Sequence, residues 1–169
     1  MKDVIRLFGV LILGLIVAIF CYPFLHETGH AIAIILSGAE LYEFRVLPIP
    51  YISCNVYSIG NVQQCLIGIA GMIFPFLISF FIGRNNFWMW LVSLLIKGIS
   101  ALAFAISYLA VLCYETDILW VNEDIVKVVQ ISEIKSSFWL LFSLVMFCFA
   151  VIVLYYEKPI ERFKNYFEI

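Results

Sequence analysis

Four runs of apolar residues, each long enough to cross a lipid bilayer as a helix, set the terms on which this chain can fold. They lie at about residues 4–36, 62–82, 87–112 and 138–156. A hydrocarbon core roughly 30 Å thick is spanned by about 20 helical residues rising 1.5 Å each. Inside it every backbone N–H and C=O needs an internal partner, which a helix supplies. Of the 169 residues 64% are hydrophobic and 13% charged, with a mean hydropathy of +1.06. Soluble domains sit near about 45–50% apolar and about 25% charged, so the excess cannot be hidden in a water-soluble core of this size. The expectation is an all-α, multi-pass integral membrane protein in contact with the lipid bilayer. It forms a single domain over residues 1–169, with about four transmembrane helices and a short extended or hairpin segment after the first.

The first run follows Lys2 and Arg6. No small-x-small cleavage site follows it, and Phe20 before Cys21 makes a poor lipoprotein site, so it reads as a retained helix. Residues 4–36 would form a helix about 50 Å long, more than the hydrocarbon thickness, so it either tilts or breaks at Pro23. Ser37-Gly38 ends it. Residues 46–52 are β-branched and aromatic but hold Pro48 and Pro50. They suit extended chain, a small interfacial hairpin or a simple structured loop. In the second run Gly68-Ile69-Ala70-Gly71 followed by Pro75 lets a neighbouring backbone approach closely and then bends the helix, most simply for ordinary helix packing. Lys97 interrupts the third run and either snorkels or faces an inner cavity.

Residues 113–137 form the longest polar stretch, with a short amphipathic helix expected around Ile125, Val126, Val128, Val129 and Ile131. A charged tail with interfacial aromatics occupies residues 157–169. Four spans put both termini on one side, grouping Lys2, Arg6, Arg84, Lys158, Arg162 and Lys164 against Arg45, Lys127 and Lys135, which favours cytoplasmic termini. A net charge of −2 leaves no basic surface for nucleic acid.

Within the first run stands His26-Glu27-Thr28-Gly29-His30, an H-E-x-x-H pattern holding both histidines of the chain. Positions i and i+4 of a helix lie on one face, so two imidazoles can chelate one zinc ion, with the glutamate beside them as proton acceptor for a water. Short motifs also arise by chance. Ionisable groups facing hydrocarbon, however, cost about 2.5–3.5 kcal/mol each near a helix centre, so a cluster of them points to function. A catalytic zinc usually takes a third protein ligand. Glu40, Glu43, Glu115, Asp117, Glu123 and Asp124 all lie beside membrane runs and are candidates, most of them solvated loop carboxylates. Cys21, Cys54, Cys65, Cys113 and Cys148 lack C-x-x-C spacing and read as small apolar residues.

The segment Phe24-Leu25-His26-Glu27-Thr28-Gly29-His30-Ala31 on a first helix resembles the site-2 protease family of zinc intramembrane metalloproteases, in its small compact branch. The likeness extends to Ser37-Gly38 and the extended segment after it, to Gly68-Ile69-Ala70-Gly71, and to Asn122-Glu123-Asp124-Ile125-Val126 before the last span. The larger members' N-P-x-P-x-x-x-L-D-G-like segment has no counterpart in this chain. The resemblance implies zinc as cofactor, His26 and His30 as ligands, Glu27 as catalytic base and an aspartate as third ligand, Asp124 first and Asp117 second. It implies an intramembrane endopeptidase acting on peptide bonds in or near the membrane segments of a transmembrane protein substrate. Two rivals stand beside it: a catalytically inactive partner-binding protein of the same fold, and a transport component using His26, Glu27 and Lys97 as a polar relay.

Overall fold

A computed structural model describes residues 2–46, 50–118 and 123–167. The first run is helical throughout: α1 (Lys2–Ile16), a single π-helical turn (Val17–Cys21) and α2 (Tyr22–Leu36). Pro23 neither breaks nor sharply ends this helix. Its missing N–H and its ring would disturb the carbonyl four residues back, at Ile19, and that position lies inside the π turn. The turn absorbs the misfit and closes with the Tyr22 N–H on the Val17 carbonyl. α2 ends on Gly38, whose left-handed φ of 75° returns the Gly38 and Ala39 N–H groups to the Ile35 and Ile34 carbonyls.

An antiparallel hairpin follows, β1 (Leu41–Arg45) and β2 (Tyr51–Cys54), in the register Arg45 to Tyr51, Phe44 to Ile52 and Leu41 to Cys54, with an irregularity between Leu41 and Glu43. Of the extended segment expected at 46–52, residues 47–49 lie outside the described residues. Leu41, Ile52 and Cys54 pack on Ile34, Ala39 and Ile67, which fixes the hairpin against the end of the motif helix.

Three further long helices complete the bundle: α3 (Asn61–Phe81), α4 (Phe87–Glu115) and α6 (Ser136–Tyr156), the last continuing past Glu157 into α7 (Pro159–Phe167). With the 35-residue helix Lys2–Leu36, four helices are long and apolar enough to cross a membrane, so the chain is an all-α multi-pass membrane protein with one small hairpin. Between α4 and α6 runs α5 (Asp124–Ile131), the short amphipathic helix of the polar stretch, begun by a Glu123 cap that accepts the Ile125 N–H. Its buried Ile125, Val126 and Val128 join Met72 and Phe76 of α3, Phe104 and Val111 of α4 and Trp139 of α6 in the main core. α5 is thereby pressed into the bundle rather than left on a solvated loop.

Lys97 does not snorkel. It is fully buried, with Nζ 2.6 Å from Glu157 Oε1 and 2.8 Å from Ser93 Oγ, while the Trp90 indole N–H donates to Glu157 Oε2 at 3.2 Å. Glu157, at the head of the charged tail, is therefore drawn into the bundle. A lone buried ammonium in an apolar span is costly, and a carboxylate brought to it offsets that cost.

Candidate metal centre

The H-E-x-x-H helix delivers both imidazoles to one spot. His26 Nε2 and His30 Nε2 are 3.1 Å apart, and Asp124 Oδ2, from the first turn of α5, lies 3.2 Å from each. Among the described residues these three form the group able to offer donor atoms to one ion. Donors at roughly 2.0–2.2 Å from a tetrahedral zinc stand about 3.3–3.6 Å apart, so this near-equilateral triangle, 3.1–3.2 Å on an edge, is close to a set closing on one small cation. A proton shared along one edge would satisfy only that edge. Two neutral imidazoles and one carboxylate also make up the nitrogen and oxygen donor set that zinc takes. The residues fit the metal.

The surrounding contacts aim these atoms. The His30 Nδ1–H donates to the Ile67 carbonyl at 2.7 Å, which leaves the Nε2 lone pair directed at the other two donors. Tyr22, one turn before His26 on α2, stacks on the His26 ring with centroids 6.4 Å apart. Asp124 turns its second oxygen, Oδ1, to Lys127 Nζ at 3.2 Å. Burial alone would raise the Asp124 pKa. The neighbouring His26 and His30 rings and the Lys127 ammonium outweigh it and hold the carboxyl well below the usual carboxylate range.

Three glycines make the assembly possible. A Cβ on Gly29 would fall 2.6 Å from the Ala70 carbonyl oxygen and 2.7 Å from Phe74 Cβ, so α2 and α3 meet backbone to backbone. A Cβ on Gly71 would overlap the His30 ring, and one on Gly68 would overlap the Val128 side chain of α5. The segment Gly68-Ile69-Ala70-Gly71 is a packing device, and what it packs is the site. It lets α3 seat the motif helix on one side and the helix of Asp124 on the other.

Glu27 is 7% exposed and directly follows His26 on the motif helix. Glu123 lies one residue before Asp124 but does a different job. Its Oε2 caps α5 through the Ile125 N–H at 3.0 Å, and its Oε1 accepts the Ser107 hydroxyl of α4 at 3.3 Å. Burial raises its pKa, with the neighbouring Asp124 charge acting the same way. The other candidate carboxylates stand apart from the triangle. Asp117 is exposed just past α4 with a left-handed φ of 56°, Glu115 bonds Ser136, Glu43 pairs with Arg45, and Glu40 is exposed. The five cysteines are free thiols outside the group. Asn122 of the Asn122-Glu123-Asp124 segment lies outside the described residues.

A cavity of about 190 Å³ opens beside the triangle, lined by His30, Asp124 and Lys127 together with Ile52, Val56 and Gln64. It links the donor atoms to the hairpin. The Ile67 carbonyl, Lys127 and Ser107 are contributors that sequence reasoning did not single out. A backbone carbonyl leaves no trace in residue type, whereas an acidic pair opening an amphipathic stretch is a recognisable helix start. Comparison with protein-family models, with curated proteins and with solved structures gives no match for this chain.

Proposed function

We propose that the protein is a zinc-dependent intramembrane endopeptidase that hydrolyses peptide bonds in or near the transmembrane segments of other membrane proteins. The observation carrying this reading is the convergence of His26 Nε2, His30 Nε2 and Asp124 Oδ2 within 3.2 Å, beside a buried Glu27, on a helix long and apolar enough to span a membrane. Zinc held by these donors would supply Lewis acidity toward a peptide carbonyl and toward water. Glu27, adjacent to His26, would take the proton of the attacking water and deliver it to the leaving amine. The Ile67 carbonyl would keep His30 in the tautomer whose Nε2 lone pair faces the site.

A helical substrate hides its carbonyls in hydrogen bonds and must unwind before attack. Each strand of a two-stranded hairpin has one unpaired edge, along which an unwound segment can add as a further strand. Ile52 of β2 lines the cavity that reaches His30 and Asp124, so a strand paired there would carry its carbonyls toward the donor atoms. A polar relay, by contrast, needs Lys97 beside the histidines. Lys97 is paired with Glu157, ten residues along α4 (about 15 Å) from Ser107, which touches the site through Glu123.

The test is metal content and cleavage measured on the same detergent-purified protein, wild type against Glu27→Gln, with a panel of single-span peptides. About one zinc per chain is expected in both, with cleavage about 10²–10⁴-fold slower in the variant. Undiminished cleavage by E27Q would remove Glu27 from the chemistry. Zinc-loaded wild type that cleaves none of the panel would favour the inactive, partner-binding reading.

A further inference from the structure

The two oxygens of Asp124 face different neighbours. Oδ2 points at both histidines, while Oδ1 lies 3.2 Å from the ammonium of Lys127, one turn further along α5. Lys127 also lines the small cavity that reaches His30 and Asp124. Neither of two general effects accounts for a lysine at this place. It stands near the N-terminal end of α5, where the helix dipole opposes a cation. Its side chain is 54% exposed, so an ion pair three residues apart contributes little to stability by itself. The ammonium's distinctive contact is with the carboxylate oxygen turned away from the histidines.

We propose that Lys127 is a positioning residue for the metal centre, holding Asp124 as a one-oxygen ligand through Oδ2. The role rests on the zinc reading above. A carboxylate can ligate a metal through one oxygen or both. With Oδ1 engaged by the ammonium, Asp124 offers one atom and the two imidazoles one each. Three protein donors with a fourth position open is the pattern of catalytic rather than structural zinc sites. Released from Lys127, Oδ1 is free to turn inward and occupy that open position.

The coordination itself can be read without any measurement of activity. Cobalt(II) takes zinc sites and absorbs visible light strongly when four-coordinate and weakly when its coordination number rises. Apo protein in detergent would be titrated with cobalt(II) alone, comparing wild type with Lys127→Met and Lys127→Arg. Wild type and K127R are expected to bind one equivalent with strong visible absorption. K127M is expected to bind about tenfold more weakly, the lower end of what an outer partner of a metal ligand contributes, and with reduced absorption. The retained behaviour of K127R guards against a folding defect being mistaken for the effect. An unchanged affinity and spectrum in K127M overturns the positioning role and leaves the metal centre standing. Wild type that binds no cobalt overturns both.

Discussion

Gly71 of α3 stands directly against the His30 imidazole of α2: a Cβ at Gly71 would overlap Nε2, the atom that faces His26 and Asp124. One turn earlier on the same helix, the Ile67 carbonyl takes the ring's Nδ1–H at 2.7 Å. α3 therefore holds His30 twice, by a hydrogen bond at one turn and by vacated volume at the next. Neither contribution needs a polar side chain from α3.

Gly71→Ala is accordingly expected to push the His30 ring out of the triangle. Overpacking of this kind costs about 1–3 kcal/mol, so the protein should fold with a lowered Tm in detergent and carry much less than one zinc per chain. Gly14→Ala is the control, because a Cβ there meets nothing within 4 Å. A G71A protein with full zinc content would show that the ring has room the geometry denies it.

The parts of the fold legible in the sequence are those governed by local rules. Hydropathy over some twenty residues located the helices, and α3 and α4 begin within one residue of the apolar runs because span length is a property of each segment alone. The i, i+4 spacing of His26 and His30 likewise needs only the helix repeat. Choosing among six carboxylates was not local. Asp124 lies 94 residues beyond His30, and its position depends on how Gly68 lets Val128 and the rest of α5 approach α3. From the residues alone Asp124 was one of six, and only the family resemblance put it first. The pairing of Glu157 is not legible for the same reason. Its partner is 60 positions away, and a glutamate before a charged tail looks solvated until the tail folds back as α7.

The two aspartates ranked for the third position differ sharply in setting, which makes them a matched pair for testing. Asp124→Asn removes a charged donor from the triangle and breaks the pairing with Lys127, and zinc affinity is expected to fall by at least the 10–100-fold typical of outer-partner losses. Asp117→Asn alters an exposed turn residue with a left-handed φ, a conformation asparagine adopts readily, and should leave affinity and Tm unchanged. Competition of each variant against a chromophoric zinc chelator measures the difference. Equal affinities in the two variants would exclude Asp124 as a ligand.

The Lys97–Glu157 pair makes the opposite prediction, of stability without metal. Lys97 is fully buried, Glu157 is 6% exposed, and their charged atoms are 2.6 Å apart, with Arg84 also 3.4 Å from the same Glu157 oxygen. Removing one member strands a buried charge, a loss of about 3–5 kcal/mol. Lys97→Met alone leaves Glu157 with Arg84 and the Trp90 N–H, whereas Glu157→Gln alone leaves Lys97 with the Ser93 hydroxyl and the face of the Phe80 ring. E157Q should therefore lower Tm more than K97M does. The double variant, which buries no net charge, should recover much of the loss, because apolar replacement of a buried pair is often close to neutral. Thermal unfolding in detergent reads all three, and zinc content should stay at the wild-type level throughout, since Lys97 stands ten residues, about 15 Å along α4, from Ser107, the residue that bonds Glu123. Strictly additive losses in the double variant would mean that the two residues act separately and that their contact contributes nothing.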